Sequence, residues 1–331
     1  MQSVCNGETV ETRLSELLPN RVSVVMAAYN AAATIGETLD SVLAQTHTDI
    51  EVIVCDDAST DGTADIVRGY SDPRVMLLRN EENLGPGPSR DRAIRCASGE
   101  WIALVDADDM LHRDRIRRLL LSAGPDRDVM VFDNMLECHQ TPQGLVPWRQ
   151  VRKRGEFGVK DGQSADVALA AWLDRPRLIM HPLIPTHVIR NAGIFHSSRR
   201  FAEDTEFFLA ILAKGLRLRY VANALYYYRI TPGSLSSYNQ RWDGVAKIYL
   251  DAIEHFSDRP DVVAALKRSV RRANDLHDYR KWLTNIRQRR FSACGQAALA
   301  NPRLLVLTVK KLFADGVYWV HRLINSGQAR T

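Results

Sequence analysis

An α/β fold is predicted: a mainly parallel sheet with flanking helices, followed by a C-terminal α-helical region. Three observations carry it. Apolar, β-rich runs alternate with helix-periodic stretches between Val22 and Val105, the pattern of βαβ units. Three of those runs end in polar clusters, Tyr29-Asn30, Asp56-Asp57 and Asp106-Ala107-Asp108-Asp109. Beyond Tyr238 the periodicity is helical, over 243–256, 260–286 and 302–324.

The elements follow in order. Val22 to Ala28 is apolar but for Ser23, as befits a strand covered on both faces. Ile35, Leu39, Val42 and Leu43 recur at helical spacing, and Thr34 with Glu37 predicts a capping box at that helix. Ile50 to Cys55 is a second strand, Ala64 to Tyr70 a helix and Arg74 to Arg79 a third strand. Asn83 to Pro88, rich in proline and glycine, is expected to be irregular, with a helix from Ser89 to Ala97. The apolar run ending at Val105 is the fourth strand, and 128–133 is a further one. Residues 137–182 lack clear periodicity apart from a short helix within 165–173, so this long segment is expected to be irregular and functional. Residues 184–194 re-enter the sheet or pack on its edge. Glu203-Asp204 opens a helix that closes near Lys214-Gly215, and two strands follow at 216–222 and 225–229.

Composition bounds the class. A chain of 331 residues, 45% hydrophobic and 25% charged, is ordinary for a globular protein of roughly two domains. Residues 236–331 hold 17 Lys/Arg against 8 Asp/Glu, a net of +9, which leaves −4 for residues 1–235. A basic C-terminal segment of this kind is either a solvated helix face or faces an anionic partner. The five cysteines are scattered and form no CxxC pair, which argues against a disulfide framework or zinc site and fits a reducing cytosol. Residues 1–20 carry Glu8, Glu11 and Glu16 and do not read as a signal peptide. No run reaches the roughly 18 apolar residues of a membrane span.

The chemistry concentrates at Asp106, Asp108 and Asp109. Carboxylates packed this closely repel one another and are costly to desolvate unless a cation compensates. Hard divalent cations such as Mg²⁺ or Mn²⁺ take oxygen ligands and usually accompany a substrate phosphate. Ligands of parallel sheets bind beyond the carboxyl ends of the strands. The three polar clusters are therefore expected to converge on one crevice.

Taken together, Ala28-Tyr29-Asn30, Asp56-Asp57-Ala58-Ser59-Thr60-Asp61-Gly62-Thr63, Asn83-Leu84-Gly85 with Arg90, Asp106-Ala107-Asp108-Asp109 and Glu203-Asp204 resemble the ordered motifs of inverting family-2 glycosyltransferases. The resemblance spans about residues 20–236. It implies a GT-A fold, which is Rossmann-like, and a UDP-sugar donor bound by Ala28, Tyr29, Asn30, Asp57, Arg90, Asp106, Ala107, Arg229 and Ser234. Within that set Tyr29 lies against the nucleobase, Asp57 accepts from the uracil imide, Arg90 faces the phosphates, and Arg229 with Ser234 and Ser236 belongs to a late loop over the diphosphate. It further implies a divalent metal (Mg²⁺ or Mn²⁺) on Asp108 and Asp109, and Asp204 as the base that deprotonates the acceptor hydroxyl, with Glu203 in support. Ser59, Asp61 and the acids at 203–204 also suit a turn, a cap and a helix N-terminus. The chain departs from the family pattern at Ala27, Ala32 and Asp91.

The resemblance to exopolysaccharide enzymes of the succinoglycan type implies transfer of a hexose, glucose, to a saccharide acceptor on undecaprenyl diphosphate, forming a β-linkage. The implied setting is cytoplasmic, peripheral on the inner face of the membrane. Residues 302–324 read as an amphipathic helix, with Leu304, Leu305, Leu312, Trp319 and Leu323 beside Lys310, Lys311 and Arg322, suited to an anionic membrane. Three regions are expected: an extension at 1–20, an enzyme domain at 21–236 with a donor half (21–126) and an acceptor half (127–236), and a helical region at 237–331. A nucleotidyltransferase would place a glycine-rich basic loop after the first strand, and 28–33 has none. A non-catalytic sugar-nucleotide binder has no need of Asp204. No aromatic-basic recognition module accompanies the C-terminal charges, so no nucleic-acid partner is expected.

Overall fold

A computed structural model describes residues 18–142, 144–175, 178–191, 202–230 and 242–308. The N-terminal part of the sheet is built as expected. β1 (Leu18–Ala28) pairs in parallel with β2 (Ile50–Asp56) on one side and β4 (Gly99–Leu104) on the other, and β3 (Val75–Arg79) pairs with β2. Val22, Val24, Val25 and Met26 of β1 are fully buried. Helices α1 (Ile35–Leu43), α2 (Thr63–Arg68) and α3 (Pro86–Cys96) connect these strands. Gly99 starts β4 where a Cβ would lie 2.7 Å from Arg21 O and Ser23 N, so the strands can meet there only without a side chain.

The rest of the sheet mixes directions. After β5 (Met110–Leu111), α4 (Arg115–Ala123) leads to β6 (Val129–Thr141), β7 (Gly144–Gln150), β8 (Ser164–Asp166) and α5 (Leu169–Leu173). Then come β9 (Leu183–Pro185), α6 (Thr186–Asn191), α7 (Glu203–Leu212) and β10 (Arg217–Ile230). The order is β3-β2-β1-β4-β9-β6-β10-β5, with β7 on β6 and β8 on β10. β9 runs antiparallel to β4 and β6, whereas β6 and β10 are parallel.

Several local expectations need correcting. α3 begins at Pro86, not Ser89: proline lacks only an N–H that a first helical turn leaves unpaired, and Gly85 enters at φ 95°. The capping box does not form. Thr34 Oγ1 donates to Ala107 O at 3.1 Å, and Glu37 pairs with Arg229. Residues 137–150 are a hairpin rather than irregular chain, and the exposed face of β7 tolerates Pro147 because it lies at a sheet edge. Residues 164–166 are a strand, which shortens the expected helix to 169–173. The two strands expected over 216–229 are one, interrupted by register shifts between Val221 and Tyr226. Of the two placements expected for 184–194, the structure takes the first, with β9 inside the sheet between β4 and β6.

The chain divides into two compact units, one of residues 1–240 with 251–266, the other of 241–250 with 267–331. Helices α8 (Trp242–His255), α9 (Pro260–Arg287) and α10 (Phe291–Ala300) follow the sheet. Alanine-rich α10 has little periodicity and was not expected. In the second unit Tyr279, Trp282, Cys294 and Leu304 form a small core. Residues 303–308 are helical, and the rest of the amphipathic stretch expected at 302–324 lies outside the described residues. Among the described residues no helix is long and apolar enough to cross a membrane.

Candidate active site

The polar strand ends converge as the parallel topology requires. The turn after β1 is held from the loop after β2: Asn30 N donates to Ser59 Oγ (2.9 Å), Ala31 N to Thr63 Oγ1 (2.8 Å) and Ala32 N to Asp61 Oδ2 (2.9 Å). Asn30, at φ 49°, returns one bond, its Oδ1 accepting Thr60 N at 2.9 Å. Ala28 is buried, whereas Tyr29 is 53% exposed. That leaves a flat aromatic face above a fixed backbone. Asp57 is buried, and its carboxylate accepts Asn80 Nδ2 (2.7 Å), Leu84 N (2.9 Å) and Gly85 N (2.8 Å). It thus ties the loop before α3 to the end of β2.

Beyond β4, Ala107 is buried and its carbonyl accepts the hydroxyls of Thr34 and Thr38 (3.1 and 3.0 Å), which pins the acidic turn to α1. Asp109 is fully buried, and its Oδ1 accepts Arg229 N at 2.7 Å. Burial, then the charges of Asp108 and Asp106, push its carboxyl well above the ordinary aspartate range, with the Arg229 N–H and the Tyr226 hydroxyl pulling back. Asp106 N donates to the Tyr226 hydroxyl at 3.2 Å. His181 stacks on the Tyr226 ring, centroids 4.1 Å apart and planes 3° apart, with Nε2 3.8 Å from Asp106 Oδ2.

One ligand atom each from Asp106, Asp109 and His181 lies within 4.8 Å of the others. Two of these residues carry a buried atom without a hydrogen bond, Asp109 Oδ2 and His181 Nε2. Orphaned buried acceptors around convergent carboxylates fit a divalent cation. Asp108, half-buried, is outside that trio, and its carbonyl accepts Arg229 Nε at 2.6 Å.

Arg90 crosses the cleft from α3. Its Nη1 donates to Glu203 Oε1 (3.0 Å) and Asp204 Oδ1 (2.7 Å), and its Nη2 to Asp106 Oδ1 (2.7 Å). Glu203 and Asp204 stand in the first turn of α7. The Glu203 side chain is 8% exposed, the Asp204 side chain 39%. Burial, then the Asp204 charge, push the Glu203 carboxyl up to about 7 against the pull of Arg90. Of the two carboxylates Asp204 is the one that faces solvent.

Arg229 lies in β10, not in a loop. It is buried, with Nη2 donating to Glu37 Oε2 at 2.6 Å and Nη1 to Gln140 Oε1. Ser234 and Ser236 lie outside the described residues. Sequence reasoning missed His181, Tyr226 and the buried Arg115–Asp133 pair beneath them, joined at 2.8 Å. Nothing in the spacing of His181-Pro182 marks a function, because the contacts that matter come from β4, α4 and β10.

Residues 23–164 match the family model described as "Glycosyl transferase family 2". The chain is 31% identical to the succinoglycan biosynthesis protein ExoO of Rhizobium meliloti (strain 1021), over 85% of this chain and 82% of that one. It is 28% identical to the Escherichia coli UDP-Glc:alpha-D-GlcNAc-diphosphoundecaprenol beta-1,3-glucosyltransferase WfaP, over 65% and 80%. The fold is similar to that of S. aureus TarS 1–349, solved in complex with UDP-GlcNAc, with a TM-score of 0.62 and 20% identity over 86% of this chain and 92% of that one.

Proposed function

Because this chain belongs to glycosyl transferase family 2, we propose that it moves a hexose, glucose, from a UDP-sugar to a saccharide acceptor with inversion at the anomeric carbon. The observation that carries this reading is the Arg90 guanidinium, which joins Asp106 beyond β4 to Asp204 at the start of α7. Donor and acceptor chemistry thus meet across one side chain. The acceptor is a lipid-linked oligosaccharide. The printed activity of WfaP, glucosyl transfer to a diphosphoundecaprenol-linked sugar, and the similarity to ExoO support that choice.

In this reading the exposed ring of Tyr29 stacks on the uracil and excludes water from it, while Ala28, Asn30 and Asp57 shape the base site. Asp106 and Ala107 meet the ribose. Asp204 takes the proton from the acceptor hydroxyl as that oxygen attacks the anomeric carbon, and the bond to the UDP oxygen breaks on the opposite face. Glu203, packed beside it on Arg90, holds the guanidinium in place. Asp106 and Asp109, with Asp108 of the resemblance's set beside them, are the carboxylates that would hold a divalent cation, which when bound would neutralise charge on the departing diphosphate. Arg229 and Ser234 complete the donor side.

Residues 21–126 form the donor half and 127–236 the acceptor half. The C-terminal region at 237–331 rests on the anionic inner face of the membrane. Leu299, Leu305 and Val306, all more than half exposed, support such an apolar contact. A panel of UDP- and GDP-sugars with Mn²⁺ or Mg²⁺, scored for hydrolysis and for transfer to a polyprenyl-diphosphate sugar, tests the reaction. UDP-glucose is expected to turn over; turnover of GDP-sugars alone overturns the donor assignment. Flotation with anionic liposomes tests the membrane contact, which fails if the protein stays at the bottom at low salt.

A further inference from the structure

His181 is the least explained group of the site. Its ring is 7% exposed, yet Nε2 makes no hydrogen bond. A buried imidazole nitrogen without a partner forfeits its hydration with nothing in return. The surroundings hold that nitrogen in place rather than satisfy it. Tyr226 lies flat against the ring at 4.1 Å. Arg115 donates from Nη2 to the His181 carbonyl and sits 4.9 Å from the Tyr226 centroid. Asp133, 1% exposed, anchors Arg115.

The acids opposite are each half-spent in a complementary way. Asp106 gives Oδ1 to Arg90 and turns Oδ2 toward His181 Nε2, 3.8 Å away. Asp109 gives Oδ1 to the Arg229 N–H, while Oδ2 has no partner. Two metal–ligand bonds of about 2.1 Å span about 4.2 Å when opposite one another. Donor atoms within 4.8 Å of one another therefore need only small shifts to share an ion.

We propose that His181 is a nitrogen ligand of the divalent cation, forming with Asp106 and Asp109 a mixed nitrogen–oxygen set that selects Mn²⁺ over Mg²⁺. Mn²⁺ favours oxygen but, as a first-row transition ion, also accepts an imidazole nitrogen, whereas the smaller Mg²⁺ keeps to oxygen and dehydrates reluctantly. The buried Arg115–Asp133 pair, through the His181 carbonyl and the Tyr226 ring, is what orients the ligand. This inference rests on the metal-dependent reading of the site.

The test uses the full chain, titrated with Mn²⁺ alone and with Mn²⁺ plus UDP, following loss of the free-ion EPR signal. Competition with Mg²⁺ gives the second affinity. His181→Phe keeps the ring stack and removes the nitrogen. It is expected to weaken Mn²⁺ binding by about ten-fold or more, to change Mg²⁺ binding far less, and so to collapse the Mn²⁺/Mg²⁺ preference. Equal Mn²⁺ affinity and equal preference in a folded His181→Phe protein overturn the role of His181 and leave metal dependence standing. A wild-type chain that binds no Mn²⁺ with or without UDP overturns both. Should His181→Phe fail to fold, pulsed EPR of the Mn²⁺-loaded wild type decides: coordinated-imidazole ¹⁴N modulation is expected, and its absence overturns the proposal.

Discussion

Arg90 Nη1 lies 2.7 Å from Asp204 Oδ1 while Nη2 lies 2.7 Å from Asp106 Oδ1, so one buried guanidinium spans the cleft between two carboxylates 98 positions apart in the chain. Only a planar fork can serve both ends at once. Arg90→Lys is expected to keep the charge but lose one end. Transfer should fall by about ten-fold or more, with a smaller loss of stability than Arg90→Ala, which leaves Glu203 buried beside Asp204 without its cation and should cost about 3–5 kcal/mol. Urea melts and steady-state rates on the two variants check this; equal rates for Arg90→Lys and wild type would remove the fork from the account.

Asp204→Asn separates binding from chemistry. The amide retains shape and can still meet the cleft, but it cannot take a proton. UDP affinity by calorimetry should stay within about three-fold, whereas kcat should drop about 10²–10⁴-fold. Persistent sugar transfer by this variant would mean another group is the base.

The Arg115–Asp133 pair is fully buried, at 0% and 1% exposure. Removing one partner strands the other, so Arg115→Ala should destabilise by about 3–5 kcal/mol. The double change Arg115→Met with Asp133→Leu should recover much of the stability, because neither charge is left uncompensated. It should not recover metal affinity, since the His181 carbonyl and the Tyr226 ring lose their support. Denaturant midpoints set against Mn²⁺ affinity distinguish the two effects.

Glu203 sets a pH dependence with a definite sign. Burial, then Asp204, raise its carboxyl from the ordinary 4.5 to about 7. Between those values the folded state binds more protons than the unfolded one, so the stability linked to this group is fully present below 4.5 and is lost as pH rises through about 7. The full loss is on the order of 3 kcal/mol. Glu203→Gln should flatten the decline of stability over that window in denaturant titrations at stepped pH. An unchanged slope would show that Glu203 ionises normally.

The N-terminal part of the sheet was legible because its physics is local. A strand buried on both faces must be apolar along its length, and the parallel order puts every strand's carboxyl end on one side, so Tyr29, Asp57 and Asp106 could be grouped from the chain alone. The remainder of the sheet was harder. β7 carries a charge and a proline because it is an edge, and β10 reads as two strands because of its register shifts. Glu37 looked like half of a capping box, but its carboxylate answers Arg229, 192 residues away.

The sequence by itself determined the α/β class, the strand segments between Val22 and Val105, the acidic turn at 106–109 and the acids opening α7, since each depends on residue type and spacing over a few positions. Tertiary structure alone decided what those carboxylates face. Arg90 as a bridge to Asp204, the stack of His181 on Tyr226 and the Arg115–Asp133 anchor beneath it all join residues 18 to 114 positions apart. No local pattern encodes such pairings, because burial and electrostatic complementarity arise only once β4, β9 and β10 lie side by side with α3, α4 and α7 against them.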